Sequence, residues 1–341
     1  MKKKDGQINR ITSEFEKFYS SLDSLLLTEN SNADCQEFSF GNRTLEITVE
    51  EGMSGFIPFR SLQFETIPNK RKVKLTLLNR KSFEKISFPQ DLKFGPYDSV
   101  LDCQSEGWLI TYSQTENSVL ALRISDSKSL YFPGHFLQPR VKAEFCRPLI
   151  HWLAILDGNF VIHAGCVAYG DSACLISGTG NMGKTTLTQM CISDGMEFLG
   201  DNVIEIVKTG ETFHALAIYG SFKVRENNFA LNMFQSETPE HDYEAGKDIY
   251  LIANNSNFNF TIYPKIISAI LRLDRQKNGE IKSDLKNDAG FFIAPNTIGQ
   301  FPFFESEVLS RVFDLVKKVP TFTSGFLDPK DAVLRIKELI E

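Results

Sequence analysis

The chain of 341 residues lacks any apolar run long enough to cross a bilayer, and its charged N-terminus lacks the apolar core of a secretion signal. We therefore expect a cytoplasmic protein with no membrane partner. It also lacks a strong excess of one charge. The formal net charge of -6 gives no electrostatic support for a nucleic-acid partner.

Patterns that bind transition metals are missing as well. The cysteines have no close zinc-type spacing, and the histidines form no such pattern with them or with each other. Cys174 and Cys191 lie in apolar runs and are expected to be small, reduced core residues. What is present is the composition of an ordinary globular protein, in a chain longer than one typical domain. Two domains are therefore expected.

The stretch from residue 178 to residue 185 is the most informative motif in the chain. It fits G-x-x-x-x-G-K-[ST], the phosphate-binding P-loop or Walker A motif. From average residue frequencies, a chain of this length matches the pattern by chance roughly once in a hundred. Its members are Gly178, Thr179, Gly180, Asn181, Met182, Gly183, Lys184 and Thr185.

The chemistry of phosphate binding explains these residue types. Small residues let successive backbone N–H groups turn towards phosphate oxygens, which the following helix N-terminus also attracts. Lys184 is expected to reach the β- and γ-phosphates, and the Thr185 hydroxyl can hold Mg²⁺. An apolar run at 173–177 predicts a strand before the loop, and 186–192 predicts a helix after it, with Gly195 as its C-cap. The alternative is a glycine-rich turn with a solvated lysine.

Asp201 is the next acid along the chain that has a candidate role. Residues 196–199 predict a short strand, and a right-handed crossover would make it a parallel neighbour of the strand before the loop. Both strands would then end at the same edge of the sheet, so that Asp201 would face the phosphates and Mg²⁺. Taken alone, however, Gly200-Asp201-Asn202 is also ordinary turn chemistry.

Together these segments resemble bacterial HPr kinase/phosphorylase, whose nucleotide-binding architecture is shared by phosphoenolpyruvate carboxykinases. The chain looks most similar to the HPr-kinase-related proteins of bacterial biosynthetic clusters, over roughly residues 145–340 and more faintly before them. The resemblance implies an α/β P-loop domain that uses ATP and Mg²⁺, and it leaves a homo-oligomer open. The similar segments are 147–152, 163–165, the P-loop itself, 199–206 and 219–223.

The chain also departs from that family. Where the family has an Asp-Asp pair, Asp201 is followed by Asn202, which cannot carry a negative charge. If one acid binds Mg²⁺ and the other accepts the substrate proton, Asp201 has both tasks. Thr185 and Thr186 stand where HPr kinase has Ser and Glu, as in the carboxykinases, and no segment for HPr recognition is found. Carboxykinase activity itself is not expected, since its oxaloacetate-binding arginines and metal-binding lysine cannot be placed.

His163, Lys223 and Arg225 are further candidates. For His163, at a predicted strand end, the resemblance implies a role in orienting the γ-phosphate or in proton transfer; the alternative is an ordinary core or rim histidine. Lys223 and Arg225 alternate on a strand-like run and would share one face. Two cations there could neutralise developing phosphoryl charge, or could equally be a solvated strand face. Glu197 and Glu205 are expected to be structural.

The pattern predicts two domains, 1–135 and 145–341. The first has an amphipathic helix over 8–27 and then short alternating strands, and its role in binding or packing is left open. The second is the P-loop kinase-like domain, with a last helix that has Asp328 as N-cap and Pro329 at its first position. Its other predicted elements are helices over 148–156 and 305–318, and strands at 160–162, 211–218 and 266–273.

The expected activity is transfer of the γ-phosphate of Mg-ATP to a hydroxyl acceptor, a serine in a protein or peptide or a small metabolite. The backbone of 178–183 with Lys184, Thr185 and Thr186 would bind ATP, while Thr185 and Asp201 would hold Mg²⁺. Asp201 or His163 would take the acceptor proton. Two alternatives are an ATP-binding scaffold without catalysis, in a biosynthetic complex, and a simple ATPase.

Overall fold

The computed structural model divides the chain into two compact units. Of the described residues, those up to 134 belong to the first unit and those from 143 onwards belong to the second. The structure describes residues 2–27, 34–40, 43–53, 71–89, 100–105, 107–113, 117–134, 143–224, 240–242, 246–251, 259–278, 282–283, 286–301, 303–326 and 329–341.

The first unit is a seven-stranded sheet with a helix packed on it. The strand order is β1-β2-β3-β7-β6-β5-β4, with β2, β3 and β7 parallel and the other neighbours antiparallel. The predicted N-terminal helix is confirmed, and it begins earlier than the sequence pattern indicated. The elements are α1 (Lys2–Leu27), β1 (Asp34–Phe40), β2 (Arg43–Val49), β3 (Arg71–Leu77), α2 (Arg80–Phe83), β4 (Val100–Ser105), β5 (Trp108–Ser113), β6 (Ser118–Arg123) and β7 (Lys128–Phe132).

The packing of α1 follows from its apolar spacing. Phe18, Leu22 and Leu25 recur three and four residues apart, so they share one helix face and are all buried. That face packs with buried side chains of the sheet, among them Trp108 and Phe132. This apolar cluster forms the core of the first unit.

The second unit has mixed α/β architecture with a large sheet and a small one. Most of its elements agree with the sequence prediction; Asp328, the predicted N-cap, lies outside the described residues. The elements are α3 (Arg147–Leu156), β8 (Phe160–Ile162), β9 (Gly165–Tyr169), β10 (Ser172–Ser177), α4 (Lys184–Ser193), β11 (Glu197–Gly200), β12 (Ile204–Thr209), β13 (Thr212–Ala217), β14 (Ser221–Val224), β15 (Glu240–Asp242), β16 (Lys247–Leu251), β17 (Lys265–Asn278), β18 (Lys282–Ser283), α5 (Lys286–Ile298), α6 (Glu305–Lys318), β19 (Thr321–Phe326) and α7 (Pro329–Ile340).

The large sheet has the order β11-β9-β10-β17-β13-β12-β8, with β19 beside β17 and β18 beside β19. Helices α5 and α6 cover one face, and α4 and α7 cover the other. The small sheet, β14-β16-β15, packs on the α4 side through Phe222, Val224 and Tyr250. The N-terminal ends of β10 and β17 lie at one edge of the large sheet, and their C-terminal ends lie at the opposite edge.

The predicted pairing of the strand before Asp201 is wrong in one respect. Strand β11 runs parallel to β10 but is not its neighbour, because β9 lies between them and is antiparallel to both. The reason is the tight turn at Gly170 that joins β9 to β10 as a hairpin and occupies that side of β10. The two strands still end at the same edge, so the expected position of Asp201 survives the correction.

Gly195 lies just past the end of α4, whose C-cap is Asp194, one residue before the predicted position. Gly195 adopts a left-handed φ of 89°, which glycine tolerates at the residue after a helix. Among the described residues, none of the helices combines the length and apolar character needed to cross a membrane.

Candidate functional site

The glycine-rich loop lies between the end of β10 and the start of α4. A side chain at Gly178 would bring a Cβ atom within 3.2 Å of the Leu273 carbonyl oxygen, so the loop is packed closely against β17. Asn181 and Gly183 have left-handed φ angles of 63° and 95°. These turns direct the chain into α4, whose first backbone N–H groups have no intrahelical acceptor.

Lys184 is the first residue of α4 and is buried, whereas the loop tip from Thr179 to Asn181 is exposed. Its Nζ atom donates to the carbonyl oxygens of Gly178 at 2.7 Å and Thr179 at 3.1 Å. Burial lowers the pKa of Lys184, while the Asp201 carboxylate acts in the opposite direction. The ammonium group is thus held inside the loop by backbone oxygens.

Thr185 and Asp201 are in direct contact. The Thr185 hydroxyl donates to Asp201 Oδ2 at 3.0 Å, and the side chain of Asp201 is almost completely buried. The other carboxylate oxygen, Oδ1, is buried and has no hydrogen-bond partner among the described residues. A buried oxygen without a partner is costly, which makes this atom a candidate ligand for a cation.

The charges around Asp201 affect its ionisation. Burial is the largest influence and raises the pKa of Asp201 to about 7, and the negative charge of Glu144 adds to this effect. The hydrogen bond from Thr185 and the positive charges of Lys223 and Lys247 lower it in part. Lys247 begins β16 of the small sheet, so this sheet contributes positive charge to the site.

His163 lies beside the Asp201-Asn202 turn. Its Nδ1 is 3.0 Å from the backbone oxygen of Asn202, and its backbone N–H donates to Thr297 Oγ1 at 3.2 Å. Burial, together with the positive charge of Lys184, lowers the pKa of His163 to about 4, so its ring is neutral at pH 7. Since a carbonyl oxygen only accepts, Nδ1 carries the proton and Nε2 is the basic nitrogen.

Lys223 is on β14 and forms a 2.7 Å ion pair with Glu144 Oε1. Sequence reasoning missed Glu144, which precedes α3. Its spacing of three residues before Arg147 was the only local signal, and it predicts a helix-end pair rather than a site residue. Arg225, the other predicted cation of this strand, lies outside the described residues.

The remaining candidate residues lie in the glycine-rich loop or in the first turn of α4. Thr186 is half-buried in the first turn of α4, and Met182 is half-buried in the loop. Within the described part of the chain, no cluster of three or more His, Cys, Asp or Glu side chains could hold a metal ion. Thr185 and Asp201 nevertheless fit Mg²⁺, which takes one or two protein oxygens and fills its other positions with water and phosphate oxygens.

Comparisons with known proteins add little to this geometry. No protein-family model matches the chain, and no curated protein sequence matches it. Among solved structures, the chain is similar to the HPr(Ser) kinase/phosphatase from Coxiella burnetii, at 12% identity and a TM-score of 0.30, over 52% of this chain and 91% of that one. At this identity and TM-score the likeness is too weak to assign an activity or a substrate.

Proposed function

We propose that the second unit binds Mg-ATP at the loop from Gly178 to Thr185 and transfers its γ-phosphate to a hydroxyl acceptor. The main support is the contact between Asp201 and Thr185, which lies in the first turn after the loop. The Oδ1 atom of Asp201 is buried and has no partner among the described residues. A hydroxyl and a carboxylate at a helix N-terminus after a glycine-rich loop match the needs of a metal-bound triphosphate.

The loop and Lys184 would bind the phosphates. Backbone N–H groups from Gly178 to Gly183, with the first turn of α4 including Thr186, would donate hydrogen bonds to the β-phosphate oxygens. Lys184 Nζ now contacts the carbonyl oxygens of Gly178 and Thr179. Phosphate oxygens would replace these carbonyls and pair with the full charge of the ammonium group.

Thr185 and Asp201 would hold Mg²⁺, directly or through water. Mg²⁺ bound there would neutralise negative charge on the phosphate oxygens. Asp201 supports this assignment, because a cation would supply the partner that its Oδ1 lacks. It would also favour the ionised form of this carboxylate, whose pKa burial raises to about 7.

In the transfer step, the acceptor oxygen forms a bond to the γ-phosphorus while the bond from that phosphorus to the β–γ bridging oxygen breaks, and ADP leaves. The acceptor hydroxyl loses its proton to Asp201 or to Nε2 of His163. Lys223, and by sequence Arg225, would offset developing charge on the phosphoryl group. The acceptor would be a serine of a protein or peptide, or a small metabolite.

One observation favours a second candidate, an ATP-binding scaffold or plain ATPase. The amide of Asn202 donates to Glu144 Oε1 at 2.6 Å, so residue 202 makes a structural contact and offers no carboxylate of its own. A scaffold would bind Mg-ATP without turnover, whereas an ATPase would release phosphate without any acceptor. A kinase needs an acceptor for release of ADP.

The test is transfer of label from γ-labelled Mg-ATP into peptide and small-molecule fractions of a host lysate, with Mg-ATP affinity measured by calorimetry. Lys184→Ala should weaken Mg-ATP binding by about tenfold or more, because charge-assisted hydrogen bonds are lost. Asp201→Asn should keep ATP binding and lose about 10²- to 10⁴-fold in turnover, the usual loss when proton transfer fails.

Lys208→Ala is a matched control, since Lys208 pairs with Asp314 in an ion pair that is partly open to solvent. It should bind and transfer like wild type. Unchanged Mg-ATP affinity in Lys184→Ala would contradict the phosphate assignment, and normal transfer by Asp201→Asn would remove the catalytic role of that acid. Tight binding without any transfer would favour the scaffold.

A further inference from the structure

Glu144 is a buried carboxylate with partners from three separate parts of the second unit. Its Oε1 is 2.7 Å from Lys223 Nζ and accepts from Asn202 Nδ2 at 2.6 Å. Its Oε2 accepts from Arg147 at 3.3 Å, and Arg147 in turn donates to the backbone oxygen of Gln300 at 3.1 Å. One carboxylate therefore connects the start of α3, the turn after β11 and strand β14.

The contact with Asn202 continues to His163. Glu144 fixes the Asn202 side chain, and the Asn202 backbone oxygen accepts the Nδ1 proton of His163. The ring is thereby held with Nε2 as its basic nitrogen. Asn202 also follows Asp201 directly, so the same contact restrains the turn that presents Asp201 to Thr185.

We propose that Glu144 is a positioning residue of the phosphoryl-transfer site, which holds Lys223 directly and holds the imidazole of His163 through Asn202. This inference rests on the proposed function. It assigns Asn202 a purpose that needs no negative charge, because its amide and its carbonyl oxygen link Glu144 to His163.

The charge state of Glu144 supports this role. Burial would raise its pKa, but the ion pairs with Lys223 and Arg147 and the hydrogen bonds from Lys223 and Asn202 outweigh burial and lower the pKa to about 2. Glu144 is therefore ionised throughout the physiological range. Its contacts do not depend on a proton.

The second unit contains a similar ion pair that serves as a control. Lys265 Nζ contacts Glu197 Oε1 at 2.8 Å and the Gly170 oxygen at 2.6 Å. Lys265 starts β17 and Glu197 starts β11, so this pair lies at the opposite edge of the large sheet from Asp201. Each pair joins a buried charge, Glu144 or Lys265, to a half-buried partner, and the Glu144 pair contacts the candidate site through Asn202 whereas the Lys265 pair does not.

The experiment compares Glu144→Gln, Lys223→Met and the double variant Glu144→Gln/Lys223→Met. Each protein is measured for urea unfolding, Mg-ATP affinity and γ-phosphate turnover with lysate acceptor. The single variants should be destabilised, since Glu144→Gln leaves Lys223 without its carboxylate and Lys223→Met leaves the buried Glu144 with Arg147 as its one remaining cation among the described residues. The double variant should recover most of this stability because both charges of the Glu144–Lys223 pair are gone and Arg147 keeps its bond to the Gln300 oxygen. Its turnover should stay about 10²-fold below wild type, the loss typical of misplaced catalytic groups, with ATP affinity within about threefold. Glu144→Gln alone, which keeps Lys223, should show a similar loss per folded molecule.

A second readout does not need turnover. The chain has five histidines, and the ring-nitrogen NMR signals of His163 can be assigned with a His163→Gln sample. Wild type should show a neutral ring protonated at Nδ1, and the folded double variant should show a mixture of tautomers. Glu144→Asp keeps a carboxylate, so its turnover should be higher than that of Glu144→Gln. The control variant Glu197→Gln/Lys265→Met should keep both turnover and the His163 signals.

The outcomes separate the two proposals. Wild type that does not bind Mg-ATP or transfer phosphate overturns the proposed function, and the role of Glu144 with it. Wild type that transfers phosphate, with a folded double variant that has normal turnover and unchanged His163 signals, overturns the role of Glu144 alone. A loss of turnover as large in the control variant would also overturn it, because the effect would then be one of general stability.

Discussion

The large sheet of the second unit has buried charges at both of its edges, but they are arranged differently. At the edge where β10 and β17 begin, Lys265 contacts both Glu197 and the Gly170 oxygen. At the edge where β10 ends, Asp201 accepts from Thr185 through Oδ2, while its Oδ1 is buried and lacks a partner among the described residues.

The two arrangements of buried charge suit different roles. A buried charge whose partners are all protein groups stabilises the fold or specifies it. A buried carboxylate oxygen without a hydrogen-bond partner destabilises the folded protein. A cation bound to that oxygen stabilises the folded protein again. We therefore interpret the first edge as structural and the second as a ligand site.

The largest expected effect is a pH-dependent gain in stability from Asp201→Asn in metal-free, nucleotide-free protein. Burial raises the pKa of Asp201 from 3.8 to about 7, so folding disfavours its ionised form. Wild-type stability should fall as the pH rises from about 4 to 7 and then level off. The variant lacks this ionisation and should gain up to about 4 kcal/mol over wild type at pH 8.

This prediction is checked by urea unfolding of both proteins in EDTA at pH 5 and pH 8. The difference in unfolding free energy between variant and wild type should be larger at pH 8. Parallel pH dependence of the two proteins would mean that Asp201 is not a buried, strained acid.

A somewhat smaller effect, in this case a loss of stability, is expected from Lys265→Met at the opposite edge. Glu197 would lose its cation and Gly170 a hydrogen-bond donor, which should cost about 3 kcal/mol of unfolding free energy. Mg-ATP affinity and turnover per folded molecule should remain those of wild type, and Lys265→Arg should lose less stability because it keeps the charge. Loss of turnover in folded Lys265→Met would contradict the interpretation of this edge as purely structural.

The smallest effect is expected at an ion pair more open to solvent. Lys208 and Asp314 are 2.7 Å apart, with 38% of each side chain exposed. Lys208→Met should change the unfolding free energy by less than about 1 kcal/mol, because water and salt screen such pairs. A loss of unfolding free energy as large as that of Lys265→Met would show that burial does not determine how much these ion pairs contribute to stability.

Local patterns predicted many elements of the second unit correctly. The helix expected over 305–318 is found there as α6, and its Val308, Val312 and Leu315 are buried on one face. The helix before β8 was also expected, and it is found at Arg147–Leu156. Such patterns depend only on neighbours within a few turns, so they can be read without the fold.

Other elements depended on packing between distant segments. Helix α5 contains Gly290 and Pro295, which locally argue against a helix. Gly290 is needed because a Cβ atom there would lie 2.6 Å from the ring of Phe313 on α6. The position of β9 between β10 and β11 was likewise missed, because a hairpin partner and a crossover partner compete for the same side of β10.

The sequence was enough to predict the glycine-rich loop, the strand before it, the helix after it and the acid that follows one helix later. These features depend on residue types and short spacings. Tertiary packing alone brings Lys223 to Glu144, Glu144 to Asn202 and Asn202 to His163. Glu144 and Asn202 are 58 residues apart in the chain, and no local pattern records a contact that the stacking of strands and helices creates.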